Sequence, residues 1–246
     1  MICESLVSSI LDKLCRIFFF MYTLKASALC IIGSFFALTG ILASAAMSIY
    51  FNGEVWEGQD YVYLSDMGGK YPSSVPFVWG LNVAGTMFYI SVQLLSSKVK
   101  ARGSRSTCRL LKLASMGSAI FLSLLSIVST FDDAKVHAYL TWSFFACSAL
   151  ASVFLFSSSM ILRQAEKPKF PLRICGIQFL LFSLFVGSCA SLGYYSFIHE
   201  DRRLSVYSEY CCVGFLIAQF GYMSRDLETD VIHYYQEFDE LVTSLP

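Results

Sequence analysis

Charge is what this sequence has little of. Only 15% of its 246 residues are Asp, Glu, Lys or Arg, against about a quarter in soluble domains. The charges it does have cancel, 18 basic against 18 acidic. That leaves no general electrostatic attraction to nucleic acid, so no nucleic-acid partner is expected. Asparagine occurs twice, at Asn52 and Asn82, and neither begins an Asn-x-Ser/Thr sequon. No His-Glu-x-x-His pair, Gly-x-Ser-x-Gly elbow or Gly-rich phosphate loop occurs, so the common metalloprotease, hydrolase and nucleotide-binding chemistries have no local signature here. The nine cysteines lack zinc-type spacing, and the adjacent pair Cys211 and Cys212 cannot chelate as a Cys-x-x-Cys motif does. No metal and no cofactor is expected. Most of the cysteines lie in apolar runs, where cysteine acts as a small hydrophobe. Cys3, Cys15 and Cys108 fall near run borders, where acylation is open to them.

What is present in abundance is hydrophobic side chains, 56% of the chain, in runs long enough to cross a bilayer. A helix needs about 20 apolar residues for this. Such runs cover Ala26 to about Phe51, Val75 to Leu95, Leu110 to Thr130, Ala138 to Leu162, Ile174 to Ile198 and Val206 to Met223. The first is too long and too late for a cleaved signal peptide. Before it, Ile2, Leu6, Ile10, Leu14 and Ile17 recur every three or four residues, the stripe of an amphipathic helix lying on a membrane. The expected fold is all-α: a polytopic membrane protein built as a six-transmembrane-helix bundle. Residues 1–25 form a cytosolic amphipathic segment, 26–223 the transmembrane domain and 224–246 an acidic cytosolic tail.

Charge asymmetry sets the orientation. Lys98, Lys100, Arg102, Arg105, Arg109 and Lys112 lie between runs two and three, and Arg163, Lys167, Lys169 and Arg173 between four and five. The alternate loops hold Glu54, Glu57, Asp60, Asp66, Asp132, Asp133, Glu200 and Asp201, with Lys70, Lys135, Arg202 and Arg203 as their basic residues. By the positive-inside rule both termini are cytosolic. The basic loops need no further explanation than topology, although anionic lipids would also attract them. Membrane lipids are therefore expected partners, together with membrane or cytosolic proteins that the sequence does not identify.

Ionisable groups at membrane depth are costly and are the first functional candidates. Asp66, His137 and Glu209 fall at the non-cytosolic face, with Asn82 one or two turns inside the second span. The expectation is one luminal polar cluster under the first loop, serving either to pin the spans together or to contact a lipid headgroup. Catalysis by acid–base or metal chemistry is the less favoured reading, and no catalytic residue is assigned. Gly68, Gly69 and Pro72 mark turns in that loop. Ser148 with Ser152, and Gly187 with Ser191, have the small-xxx-small spacing of close helix contacts. In the tail, Tyr235-Gln236-Glu237-Phe238 has the Tyr-x-x-hydrophobic form of a clathrin-adaptor sorting signal, with a membrane-surface helix as the alternative.

These residues carry a resemblance. Tyr63-Leu64-Ser65-Asp66-Met67-Gly68, then Pro72, Phe77 and Asn82, resemble the Ser-Asp loop and following span of the DRAM family, damage-regulated autophagy modulators. Val136-His137 and Ser208-Glu209-Tyr210 are similar to its Val-His and Cys-Glu-Trp segments. The superfamily includes FRAG and SFK proteins and a Golgi factor that remodels GPI-anchor lipids. Ser73 and Ser74, Ala138 and Tyr210 depart from the family pattern. The resemblance implies a non-enzymatic modulator of autophagy and lysosomal membrane traffic, in lysosomal or endosomal membrane. The alternative is a lipid-remodelling or phosphoinositide-regulating factor in the Golgi or plasma membrane.

Overall fold

The computed structural model describes residues 26–52, 62–102, 104–166 and 172–227, without side-chain detail at 163–166 and 172–175. The amphipathic stripe before Ala26 and the Tyr235–Phe238 tetrapeptide lie outside these residues. Six long helices carry the fold: α1 Ala26–Asn52, α3 Ser74–Ala101, α4 Arg105–Ile127, α5 Ala134–Glu166, α6 Leu172–Phe197 and α7 Arg202–Met223. A four-residue helix, α2 Leu64–Met67, sits in the first loop, and a single 3₁₀ turn, Ser224–Asp226, follows α7. No strand occurs among the described residues. Helix is what hydrocarbon demands, because it satisfies backbone N–H and C=O groups within one segment.

Each long helix packs against its neighbour in sequence, and α7 returns to α1 and closes the ring. Ala26 at the start of α1, Met223 at the end of α7 and Leu227 beyond it share one buried cluster with Val92, Leu95 and Val99 of α3. The two ends of the described chain therefore lie on one side, as an even number of crossings requires. The packing continues through Leu227, which is fully buried. Lys98 Nζ donates to the Asp226 carbonyl at 3.0 Å, and the Ser159 hydroxyl donates to Asp226 Oδ2 at 2.5 Å.

Five of the long helices, α1 and α3 to α6, are long and apolar enough to cross a membrane. The sixth, α7, has 22 residues, about 33 Å of helix, but carries Glu209 and Gln219. Within the span its polar residues Ser205, Ser208, Glu209 and Gln219 are buried, while Arg202 and Arg203 at its start are exposed. Ser205, Glu209, Cys212, Gln219 and Met223 follow one another at helical spacing, so one face of α7 is turned to the interior.

Where α1 crosses α3, Gly40 meets Gly80. A Cβ on Gly80 would lie 2.7 Å from Gly40 Cα and 2.8 Å from the Phe36 carbonyl. Only glycine on both helices permits this approach. Of the two small-residue pairs noted above, Ser148 and Ser152 do face the bundle. Ser148 shares a 2.7 Å hydrogen bond with Ser118, and Ser152 donates to Gln219 Oε1 at 2.8 Å. A Cβ on Gly187 would meet nothing within 4 Å.

The helices run past the apolar runs at their ends. Lys98 and Lys100 are in the last turn of α3, and Arg105 opens α4, so most of the first basic loop is helix. Two acidic residues of the opposite loops act as helix caps. Asp133 Oδ1 accepts from the N–H groups of Lys135 and Val136 at the start of α5, and Asp201 Oδ1 from Leu204 N–H at the start of α7. Carboxylates suit the positive end of a helix. Cys108 is buried, with its thiol donating to the Ser96 carbonyl at 3.3 Å. Burial withdraws it from acylation.

Candidate functional site: a loop-capped apolar cavity

The first loop is fastened onto α7. Glu209 Oε2 accepts from Leu64 N–H at 2.7 Å, with Ser65 beside it in the same turn. Leu64 and Ser65 are the first residues of α2, whose N–H groups have no partner within the helix. Glu209 thus caps α2 from another element. Around it, the Tyr210 hydroxyl donates to the Val62 carbonyl at 2.6 Å, and the Tyr63 hydroxyl donates to Ser205 Oγ at 2.9 Å. The Ser44 hydroxyl of α1 donates to the Met67 carbonyl. Asp66 is buried, with Oδ2 3.9 Å from Arg202 Nη2. The Arg202 guanidinium also lies over the Tyr63 ring, 5.7 Å from its centroid. On the other flank, Lys70 Nζ stands 4.5 Å above the Phe131 ring, joining this loop to the α4–α5 turn.

Asn82 and His137 belong to a second group, around the end of α4. Asn82 Nδ2 donates to Ser126 Oγ and to the Val78 carbonyl, both at 2.8 Å. His137 Nδ1 lies 2.6 Å from the Val128 carbonyl. A carbonyl can only accept, so Nδ1 carries the hydrogen. His137 Nε2 is buried without a partner. Hydrogen bonds thus join Glu209 to the Asp66 loop and tie Asn82 and His137 to α4. No hydrogen bond among the described residues links the two pairs. Nor is any group of three His, Cys, Asp or Glu side chains among those residues placed to hold a metal ion.

Beneath the cap lies a cavity of about 110 Å³. Its walls come from α1, α3, α4, α5 and α7, with Leu64 and Ser65 of the cap at one end. Phe77, Leu81, Phe88, Leu122, Phe144 and Ile217 are among the lining residues. Glu209 is the only charged residue on the wall, and Gln219 and Ser152 also border it. Glu209 and Gln219 are ten residues apart on α7, about 15 Å along the axis. The cavity is therefore long and narrow. Glu209 and Asp66 were legible in the sequence as polar candidates; Tyr63 and Tyr210 entered only through the family-like segments, Arg202 only as a loop base and Ser205 not at all, yet all four complete the cap. The helical spacing of Arg202, Ser205 and Glu209 was the available signal.

A ring of apolar helices around a capped internal cavity defines an all-α polytopic integral membrane protein. Residues 25–229 match the model of the Frag1/DRAM/Sfk1/Cwh43P N-terminal domain, and the chain belongs to that family. No curated protein and no solved structure shows significant similarity to the chain.

Proposed function

We propose that this protein is a non-enzymatic, DRAM-like modulator of autophagy and membrane traffic in lysosomal or endosomal membranes. The observation that carries the non-enzymatic part is the state of Glu209. Its carboxylate is the strongest acid–base candidate on the chain, yet it accepts from Leu64 N–H. Lone pairs committed to fixing a loop are withdrawn from proton transfer, which needs a group within hydrogen-bond reach of its substrate. Family membership supports the membrane role, and the resemblance of Ser65-Asp66 and Val136-His137 to the DRAM pattern supports the lysosomal or endosomal reading. The test is tagged localisation combined with autophagic flux after depletion. Lysosomal residence with altered flux is the expected result, and Golgi residence with normal flux overturns it.

A second reading, a lipid-remodelling factor, has one observation in its favour: the apolar cavity reaches Glu209. Glu209→Gln separates the two. A structural carboxylate tolerates the amide, which retains an acceptor for Leu64 N–H. A catalytic one loses function while expression and localisation stay normal.

A further inference from the structure

The cavity wall contains a donor with nothing to donate to. Gln219 is 2% exposed, and its Oε1 accepts from the Ser152 hydroxyl at 2.8 Å. Its Nε2 is buried and has no hydrogen-bond partner. An unpaired buried amide N–H is costly, and the Gln219 side chain that carries it is part of the wall of the long cavity described above. The opposite end is closed by Leu64, Ser65 and Glu209, where the carboxylate already bonds to the cap. Between the ends the wall is built from Leu, Ile, Phe, Ala and Val side chains, Gly85, and Ser118 and Thr141, whose hydroxyls are bonded to Ser148 and to the His137 carbonyl.

We propose that this cavity binds one unbranched acyl chain, with its carbonyl oxygen accepting from Gln219 Nε2 and its tail running toward the Leu64–Ser65 cap. Three features select this ligand class. A compact cavity of about 150 Å³ holds a benzene-sized ring; a smaller volume drawn out along several helical turns suits a single chain and excludes a sterol ring system. The orphan group is a donor, so the ligand must bring an acceptor. No Lys, Arg or His lines the cavity, so a carboxylate would lie there without a counter-charge. The acceptor is therefore a neutral carbonyl, as in an ester or amide. A membrane phospholipid and a free single-chain ester both offer it. The inference goes beyond the role proposed above and does not depend on the compartment in which the protein resides.

The experiment is photo-crosslinking on the full-length protein in phosphatidylcholine nanodiscs. Three probes carry the same diazirine-tagged chain: its methyl ester, its free acid, and a phosphatidylcholine bearing it. The expected result is labelling of α3, α4 and α7 peptides by the methyl ester, at least tenfold stronger than by the free acid at neutral pH. Phosphatidylcholine labelling of the same peptides assigns the chain to a bilayer lipid, and its absence assigns it to a single-chain ester. Ala119→Phe, which fills the cavity from α4, should lower this labelling about tenfold. Gln219→Leu should lower ester labelling severalfold and reduce the ester-to-acid ratio. Ala84→Leu fills the space from α3 and replaces Ala119→Phe if that variant fails to fold. Gly187→Leu, on the outward side of α6, should change nothing. Labelling restricted to α6, labelling unchanged in both filled variants, or preferential labelling by the free acid would overturn the proposal.

Discussion

Glu209 shows how one residue serves a fold through elements far from it in sequence. Its carboxylate stands in for the capping side chain that α2 lacks, since Tyr63 at the N-cap makes no side-chain cap bond. Glu209→Leu leaves the Leu64 N–H group without this partner, at a cost of about 1–3 kcal/mol. The expected outcome is lower folded yield and faster proteolysis after Tyr63, with Glu209→Gln close to the parent. Equal behaviour of the two variants would remove the capping role. Asp132 offers a smaller test. It is exposed, and hydrogen bonds from the Ser129 hydroxyl and N–H hold its carboxyl below the usual range. A depressed folded pKa means the contribution is present above the unfolded value, about 3.9, and is lost as pH falls through the folded one. A carboxyl titration by NMR should place the Asp132 midpoint below ~3.9 and return it to that value in Ser129→Ala. A midpoint unmoved by Ser129→Ala would contradict the assignment.

At the scale of elements, the α1–α3 crossing and α6 make a contrast. Gly80→Ala forces a Cβ against Gly40 and the Phe36 carbonyl, both backbone, so relief requires the helices to separate. Overpacking of this kind costs about 1–3 kcal/mol. Gly187→Ala meets open space and should stabilise by up to about 1 kcal/mol through helix propensity. Thermal unfolding in detergent should rank Gly187→Ala at or above the parent and Gly80→Ala below it. The reverse order would mean that α1 and α3 do not cross at these residues. The small-residue spacing in the sequence did not single out Gly40 and Gly80, because they lie on different helices and each looks ordinary alone. The runs themselves were legible. All six became helices, and α3 to α7 extend at an end into charged residues, because a polar environment tolerates helix beyond the apolar stretch and Asp133 and Asp201 supply caps.

The described residues form a ring of six long helices whose ends meet on one side, and the orientation of that ring in the bilayer rests on loop charge. Single cysteines at Arg105 and Lys135, both exposed, should report opposite sides when introduced into a cysteine-free background. Lys135→Cys should react with an impermeant thiol reagent from the lumen or exterior, and Arg105→Cys only from the cytosol. Reaction of both from one side would contradict the charge argument. By itself the sequence determined the six long helices, the even number of crossings and the polar residues that had to be accommodated at membrane depth. Those follow from local composition, since apolar length and loop charge act one segment at a time. Only the tertiary structure decided that Glu209 bonds to α2 while His137 bonds to Val128. It alone revealed that α6 stands outside the cavity wall and that Gln219 is left with an unused donor. Each of these depends on which faces the helices turn to one another, and that is settled by packing between residues distant in the chain.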